Sequence, residues 1–219
     1  MALVRPPSSA APEFPARQLA RLERPLRLHR GGVIEQPVVA YETWGRLSAA
    51  RDNTVLLFTG LSPPAHAASS PADPKPGWWE SMIGEGKPID TRRYFVVCVN
   101  SLGSPYGSSS PASIDPRTGR PYGISFPELS VEDIATAGHE ALRTLGIERV
   151  AAVVGPSLGG MTVLAYCALF PDEVDSVVTI SGAARANPLA IALRSLQREM
   201  VRTDPAWRGG SYEPGRGPR

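Results

Sequence analysis

The 219-residue chain is poor in the residues that mark several protein classes, with two cysteines, three histidines and 7% aromatics. Two cysteines do not make the disulfide framework of a small secreted scaffold. Cys98 and Cys167 both fall in apolar runs (Tyr94 to Val99 and Met161 to Phe170), where a free thiol behaves as a small buried hydrophobe. His29, His66 and His139 stand far from one another and from the cysteines, without the paired spacing of a metal site. No apolar run approaches the ~18 residues of a membrane span. The N-terminal stretch, broken by Pro6, Pro7, Pro12 and Pro15, has no secretory apolar core, so a cytoplasmic protein with no membrane partner is expected. Excess charge is missing too. The 23 Lys and Arg balance 21 Asp and Glu to a formal net charge of +2, which gives no field to draw nucleic acid.

What is present suits one globular core, since 42% of the residues are hydrophobic. Residues 1–20 are rich in Pro, Ala, Ser and Arg without periodicity and read as a flexible arm, leaving 21–219 as the folded domain. Leu26 to His29 and Val33 to Tyr41 flank Gly31-Gly32 as a hairpin, with Pro37 pointing to an edge position. Thr54 to Phe58 and Tyr94 to Val99 are short apolar runs of the kind that form strands buried on both faces. Long loops, Leu61 to Arg93 and Asn100 to Leu129, follow them. Ser130 opens a helix that stops near Gly146. A strand (Val150 to Val154), a helix (Leu158 to Phe170), a strand (Val174 to Ile180) and a helix from Pro188 to about Arg202 come next. Strands alternating with helices predict a mostly parallel α/β sheet flanked by helices.

Gly155-Pro156-Ser157-Leu158-Gly159 satisfies G-x-S-x-G between a strand and a helix, the place where that pattern makes a nucleophile elbow in an α/β-hydrolase fold. The sharp turn lifts the serine Oγ above the sheet and aims the N–H of Leu158 at an anion beside it. Leu61, in the loop after Thr54 to Phe58, is the candidate second oxyanion donor. The plainer alternative is a βα turn whose serine only caps the helix, although three glycines exceed what capping needs. The phosphate-loop reading fails, because Gly155 to Gly160 lacks the Lys and Ser/Thr that meet phosphate and Mg²⁺.

An activated serine needs a base, in chain order Ser, Asp or Glu, His, and all three histidines precede Ser157. Asp172, Asp175 and Asp204 follow it, but carboxylates alone do not complete a triad. Arg194, Arg198 and Arg202 form a basic stripe at i, i+4 spacing, either a solvated face or an anchor for a carboxylate or phosphate.

Several blocks together resemble the family of the homoserine O-acetyltransferases and their serine or homoserine O-succinyltransferase relatives, which has the α/β-hydrolase fold. They are VAYETWG (39–45), GWWE (77–80), GEGKPID (84–90), FVVCVNSLG (95–103), SSPAS (109–113) with Asp115-Pro116, FPELSVED (126–133) and GPSLGGM (155–161), in the family's order. The resemblance runs from about residue 25 to Tyr212. It implies ping-pong transfer of an acyl group from succinyl-CoA or acetyl-CoA, as cosubstrate rather than bound cofactor, through acyl-Ser157 to the hydroxyl of L-serine or L-homoserine. That chemistry belongs to cysteine and methionine biosynthesis.

Leu61-Ser62-Pro63-Pro64-Ala65-His66 matches the family's substrate-pocket loop, and with Ile191 to Glu199 (IALRSLQRE) it looks more like the serine O-succinyltransferase branch. Pro156 stands where the family more often has Gly or Asn. The family's catalytic Asp and His, a substrate-binding Arg and much of a dimer contact come from a C-terminal portion not found in this sequence. The expectation is a domain truncated after the strand and helix that follow the elbow, nearly inactive alone. A catalytically inactive binding module and an ester or thioester hydrolase are the alternatives.

Overall fold

The computed structural model describes residues 14–212 and 216–218. Its centre is a sheet of six strands: β1 (Gln18–Arg21), β2 (Val38–Trp44), β3 (Thr54–Phe58), β4 (Phe95–Val99), β5 (Ala152–Pro156) and β6 (Val177–Ile180). Their spatial order is β1-β2-β4-β3-β5-β6. The pairs β1–β2 and β2–β4 are antiparallel, and β4, β3, β5 and β6 run parallel, as the alternation of apolar strand and helix predicts.

Every residue of β3 is buried, because both faces of the sheet are covered there. Leu56 and Phe58 of β3, with Val97 and Val99 of β4, meet helices α1 (Val131–Thr144) and α2 (Leu158–Leu169). Val55, Leu57, Val96 and Cys98 point the other way, where loop residues Ala65, Ala67, Ala68, Trp78 and Trp79 take the place of a helical layer. That long loop therefore packs as core, as its apolar and small residues require. α1 starts on a reciprocal cap in which Ser130 Oγ accepts from the Asp133 N–H and Asp133 Oδ2 accepts from the Ser130 N–H at 2.7 Å. Pro171 ends α2.

Several boundaries differ from the sequence reading. Of the expected arm, residues 1–13 lie outside the described residues, while Gln18–Arg21 is strand β1, with Ala20 buried against the core. Four residues alternating around one small apolar side chain are too short a pattern to show as periodicity. The segment after Pro37 is not an edge strand. Pro37 sits just before β2, its carbonyl accepting from the Leu22 N–H at 3.0 Å, so its missing N–H interrupts no ladder and β2 lies between β1 and β4. Leu26–Arg27 and Val33–Ile34 do pair as the expected small hairpin. Both cysteines are free thiols, Cys98 buried and Cys167 half-buried.

The described helix α3 (Pro188–Thr203), opened by Asn187 accepting from the Ala190 N–H, buries none of its residues. Among the described residues β6 has no neighbour on its outer side, and Val177, Val178 and Ile180 are exposed. No described helix is long and apolar enough to cross a membrane.

Candidate active site

Ser157 follows β5 directly and precedes the first residue of α2, at φ 55° and ψ −116°. A side chain at positive φ is strained, and such strain persists only where the surroundings enforce it. Here glycines allow the enforcement. A Cβ on Gly155 would lie 2.4 Å from the Gly159 carbonyl, and one on Gly159 would lie 2.4 Å from the Phe58 oxygen. One on Gly160 would meet Thr179 Oγ1 at 2.7 Å, the hydroxyl that donates to the Gly160 carbonyl at 3.2 Å. Bare backbone thus lets the start of α2 sit against the ends of β3, β5 and β6. The Ser157 N–H donates to the Ile180 carbonyl at 2.8 Å, tying the elbow to β6, while its carbonyl accepts from Met161 N–H at 3.1 Å.

The serine side chain makes no capping hydrogen bond, and the residue is exposed. This removes the helix-capping alternative. The hydroxyl instead opens into a cavity of about 860 Å³ shared with Leu61, Leu158 and Met161. Leu61 comes close because Gly60, just before it, packs on the Pro156 carbonyl, 3.8 Å from where a Cβ would stand. The two backbone positions chosen as oxyanion donors therefore flank the same space as Ser157.

The rest of the expected pocket loop is arranged differently. Ser62, Pro63 and Pro64 are not part of the cavity wall, Ser62 being exposed and the prolines half-buried. Ala65 and His66 are turned away from it into the core. His66 is bonded by Nδ1 to Glu42 and by Nε2 to the Lys75 carbonyl, so it is no substrate contact here. Packing decides this, because Ala65 joins the apolar cluster under the sheet and draws its neighbour with it.

The opposite wall comes from α3 and the turn after it. Arg194, Arg198 and Arg202 all line the cavity, with Gln197 and Trp207. Each guanidinium is hydrogen-bonded to a neighbour on its own helix: Arg194 to Gln197 Oε1 at 2.8 Å, Arg198 to Ser195 Oγ at 3.0 Å and Arg202 to Glu199 Oε1 at 3.1 Å. The stripe is both solvated and aimed at the site. Sequence reasoning missed Met161, Gln197 and Trp207. The i+4 spacing of Met161 from Ser157 and the i+3 spacing of Gln197 from Arg194 are the local signals that could have placed two of them.

Among the described residues no imidazole or carboxylate lines the cavity. His139 stacks on Phe170 with ring centres 3.8 Å apart and bonds Glu173, and the His29 N–H donates to Asp133. Asp172 and Asp175 lie before β6, at the end of the sheet opposite Ser157. Asp204 accepts from the Ala206 N–H. Among the described residues no cluster of His, Cys, Asp or Glu could hold a metal ion.

Residues 54–218 match the model of the α/β hydrolase fold family. A serine O-succinyltransferase of Litchfieldella anticariensis is 59% identical over 204 residues, which is 93% of this chain and 56% of that protein. The solved homoserine O-acetyltransferase of Bacillus anthracis superposes with a TM-score of 0.81 at 33% identity, over 90% of this chain and 55% of that one. An acetylester hydrolase of Corynebacterium glutamicum does so with a TM-score of 0.79 at 29% identity, over 90% and 52%. The chain spans about half the length of the curated relatives it matches. It belongs to the α/β hydrolase fold family, and over about half of their length it is similar to serine O-succinyltransferases and a homoserine O-acetyltransferase.

Proposed function

We propose that this chain carries the nucleophile, the oxyanion hole and part of the donor pocket of an acyl-CoA-dependent O-acyltransferase acting on L-serine or L-homoserine, with succinyl-CoA as the favoured donor. The carrying observation is the strained, exposed and uncapped Ser157 facing three arginines across one cavity. A thioester carbonyl beside Oγ has the N–H groups of Leu61 and Leu158 to stabilise the oxyanion that forms when Oγ attacks. The C–S bond breaks, coenzyme A leaves as the thiol with the serine proton, and acyl-Ser157 remains. The amino-acid hydroxyl then attacks that ester, forming the O-acyl amino acid and returning the proton to Ser157. The arginine wall suits a donor whose acyl end carries a carboxylate, as a succinyl group does and an acetyl group does not.

Both half-reactions need a base next to Oγ, and the described cavity has none. The chain alone is therefore expected to turn over very slowly, because removing a triad member leaves only ~10³–10⁴-fold catalysis over water from the oxyanion hole and binding.

Chemical rescue tests this reading. With succinyl-CoA and added imidazole, intact-mass spectrometry should show one succinyl group per chain, absent from Ser157→Ala, and adding L-serine should discharge it as O-succinylserine. Acylation that is equal in Ser157→Ala would overturn the nucleophile. The likeness to the acetylester hydrolase supports a second reading, hydrolysis, in which the acyl group appears as free acid whether or not an amino acid is present.

A further inference from the structure

The loop that begins at Leu61 holds a buried ionisable cluster with no part in the acyl transfer itself. Glu42 of β2, His66 and Asp73 are 1%, 7% and 1% exposed. His66 Nε2 lies 2.8 Å from the Lys75 carbonyl oxygen, which can only accept, so Nε2 carries a hydrogen. Nδ1 is then the open question. It stands 2.9 Å from Glu42 Oε2 and 3.9 Å from Asp73 Oδ2, and the latter oxygen is buried with no hydrogen-bond partner. A bare Nδ1 would aim its lone pair at two buried carboxylates, whereas a hydrogen there bonds one and offsets the charge of both.

We propose that His66 is a positioning residue, an imidazolium that clamps the oxyanion loop to β2 through Glu42, with Asp73 as its second counter-charge. This rests on Leu61 being an oxyanion donor. The clamp is stiffly joined to that donor. Pro63 and Pro64 lie between them, the Pro64 carbonyl accepts from Trp78 Nε1 at 2.9 Å, and the Ala68 and Ser69 carbonyls accept from Trp44 Nε1 of β2 at 3.2 and 3.0 Å.

The other groups facing the cluster are compatible with a charged ring. Cys98, opposite Glu42 on β4, is kept a neutral thiol by burial. Arg17, ahead of β1, favours the Glu42 carboxylate, and Lys75 presents its carbonyl. Burial opposes charge on the His66 ring, but the hydrogen bonds to Glu42 and Lys75 together with the charges of Glu42 and Asp73 outweigh it and raise the imidazole pKa above 6.5. Burial likewise raises the Glu42 carboxyl.

The test needs no catalysis, so its failure is separable from failure of the acyl-transfer reading. With ¹⁵N-histidine label and His66→Gln for assignment, both His66 ring nitrogens should be protonated at pH 6, with a titration midpoint above 6.5. Amide hydrogen exchange at residues 60–66, corrected for its intrinsic pH dependence, should accelerate several-fold across that midpoint. Glu42→Gln should lower the midpoint and speed exchange already at pH 6, and Asp73→Asn serves if that variant does not fold. A midpoint at or below 6.5, or loop exchange indifferent to it, would overturn the clamp.

Discussion

At the residue scale, the site depends on what glycine lacks and what one serine tolerates. Gly155, Gly159 and Gly160 are required by contacts that any Cβ would violate, and their spacing around Ser157 was readable because close approach and sharp turning have no cheaper solution. Ser157 stores backbone strain of about 1–3 kcal/mol. Replacing it by glycine should therefore raise the unfolding free energy by roughly 1 kcal/mol while abolishing acylation. Ser157→Ala should abolish acylation with no such gain. Urea denaturation of the two variants measures the difference, and equal stabilities would show that the elbow is unstrained. His66 was not readable in this way. Nothing local to Pro64-Ala65-His66-Ala67 says which side of the loop becomes core, because Glu42 comes from a strand 24 residues earlier.

At the element scale, the strand–turn–helix order around Ser157 was legible, since short apolar runs, an N-cap serine at Ser130 and Pro171 after α2 are local signals. β1 was not, because Gln-Leu-Ala-Arg becomes a strand only by pairing with Val38 to Tyr41. The basic stripe on α3 could be read as a helix face but not as a cavity wall. Arg194 is the first of its three arginines, one turn beyond Ala190, which also lines the cavity. If it meets the donor carboxylate, Arg194→Leu should reduce imidazole-rescued acylation by succinyl-CoA about 10- to 100-fold, the value of a hydrogen bond to a charged group. Acylation by acetyl-CoA should be nearly unchanged. Parallel rates with both donors settle the matter, and an equal loss for both would assign the helix a purely structural part.

At the scale of the whole molecule, opposed titrations set the pH range of greatest stability. Glu80 is lowered to about 2, first by the Ser69 N–H and then by Lys87, and the Arg117 guanidinium lowers the Asp115 carboxyl. Groups with lowered pKa stabilise the fold above their unfolded values and lose that as pH falls. His66 and Glu42 have the opposite sign, both being raised. The His66 contribution is present in full below about pH 6.5 and is lost as pH rises through the folded value. Stability should therefore peak near pH 5–6.5 and decline toward pH 9, with the alkaline decline reduced in Glu42→Gln. Chemical denaturation at pH 5, 6, 7, 8 and 9 measures it, and a flat alkaline limb common to both proteins would contradict the assigned charges.

The sequence by itself determined the parallel α/β order, the strand–turn–helix elbow around Ser157 and the absence of a histidine after it. Strand runs, capping residues and glycine spacing act over a few neighbouring residues, and the order of residue types is there to be read. Only the tertiary structure decided that Leu61 and three arginines share a cavity with Ser157, and that His66 is bound beneath the loop. Those arrangements join segments tens of residues apart, and burial rather than local preference selects which side chains face one another.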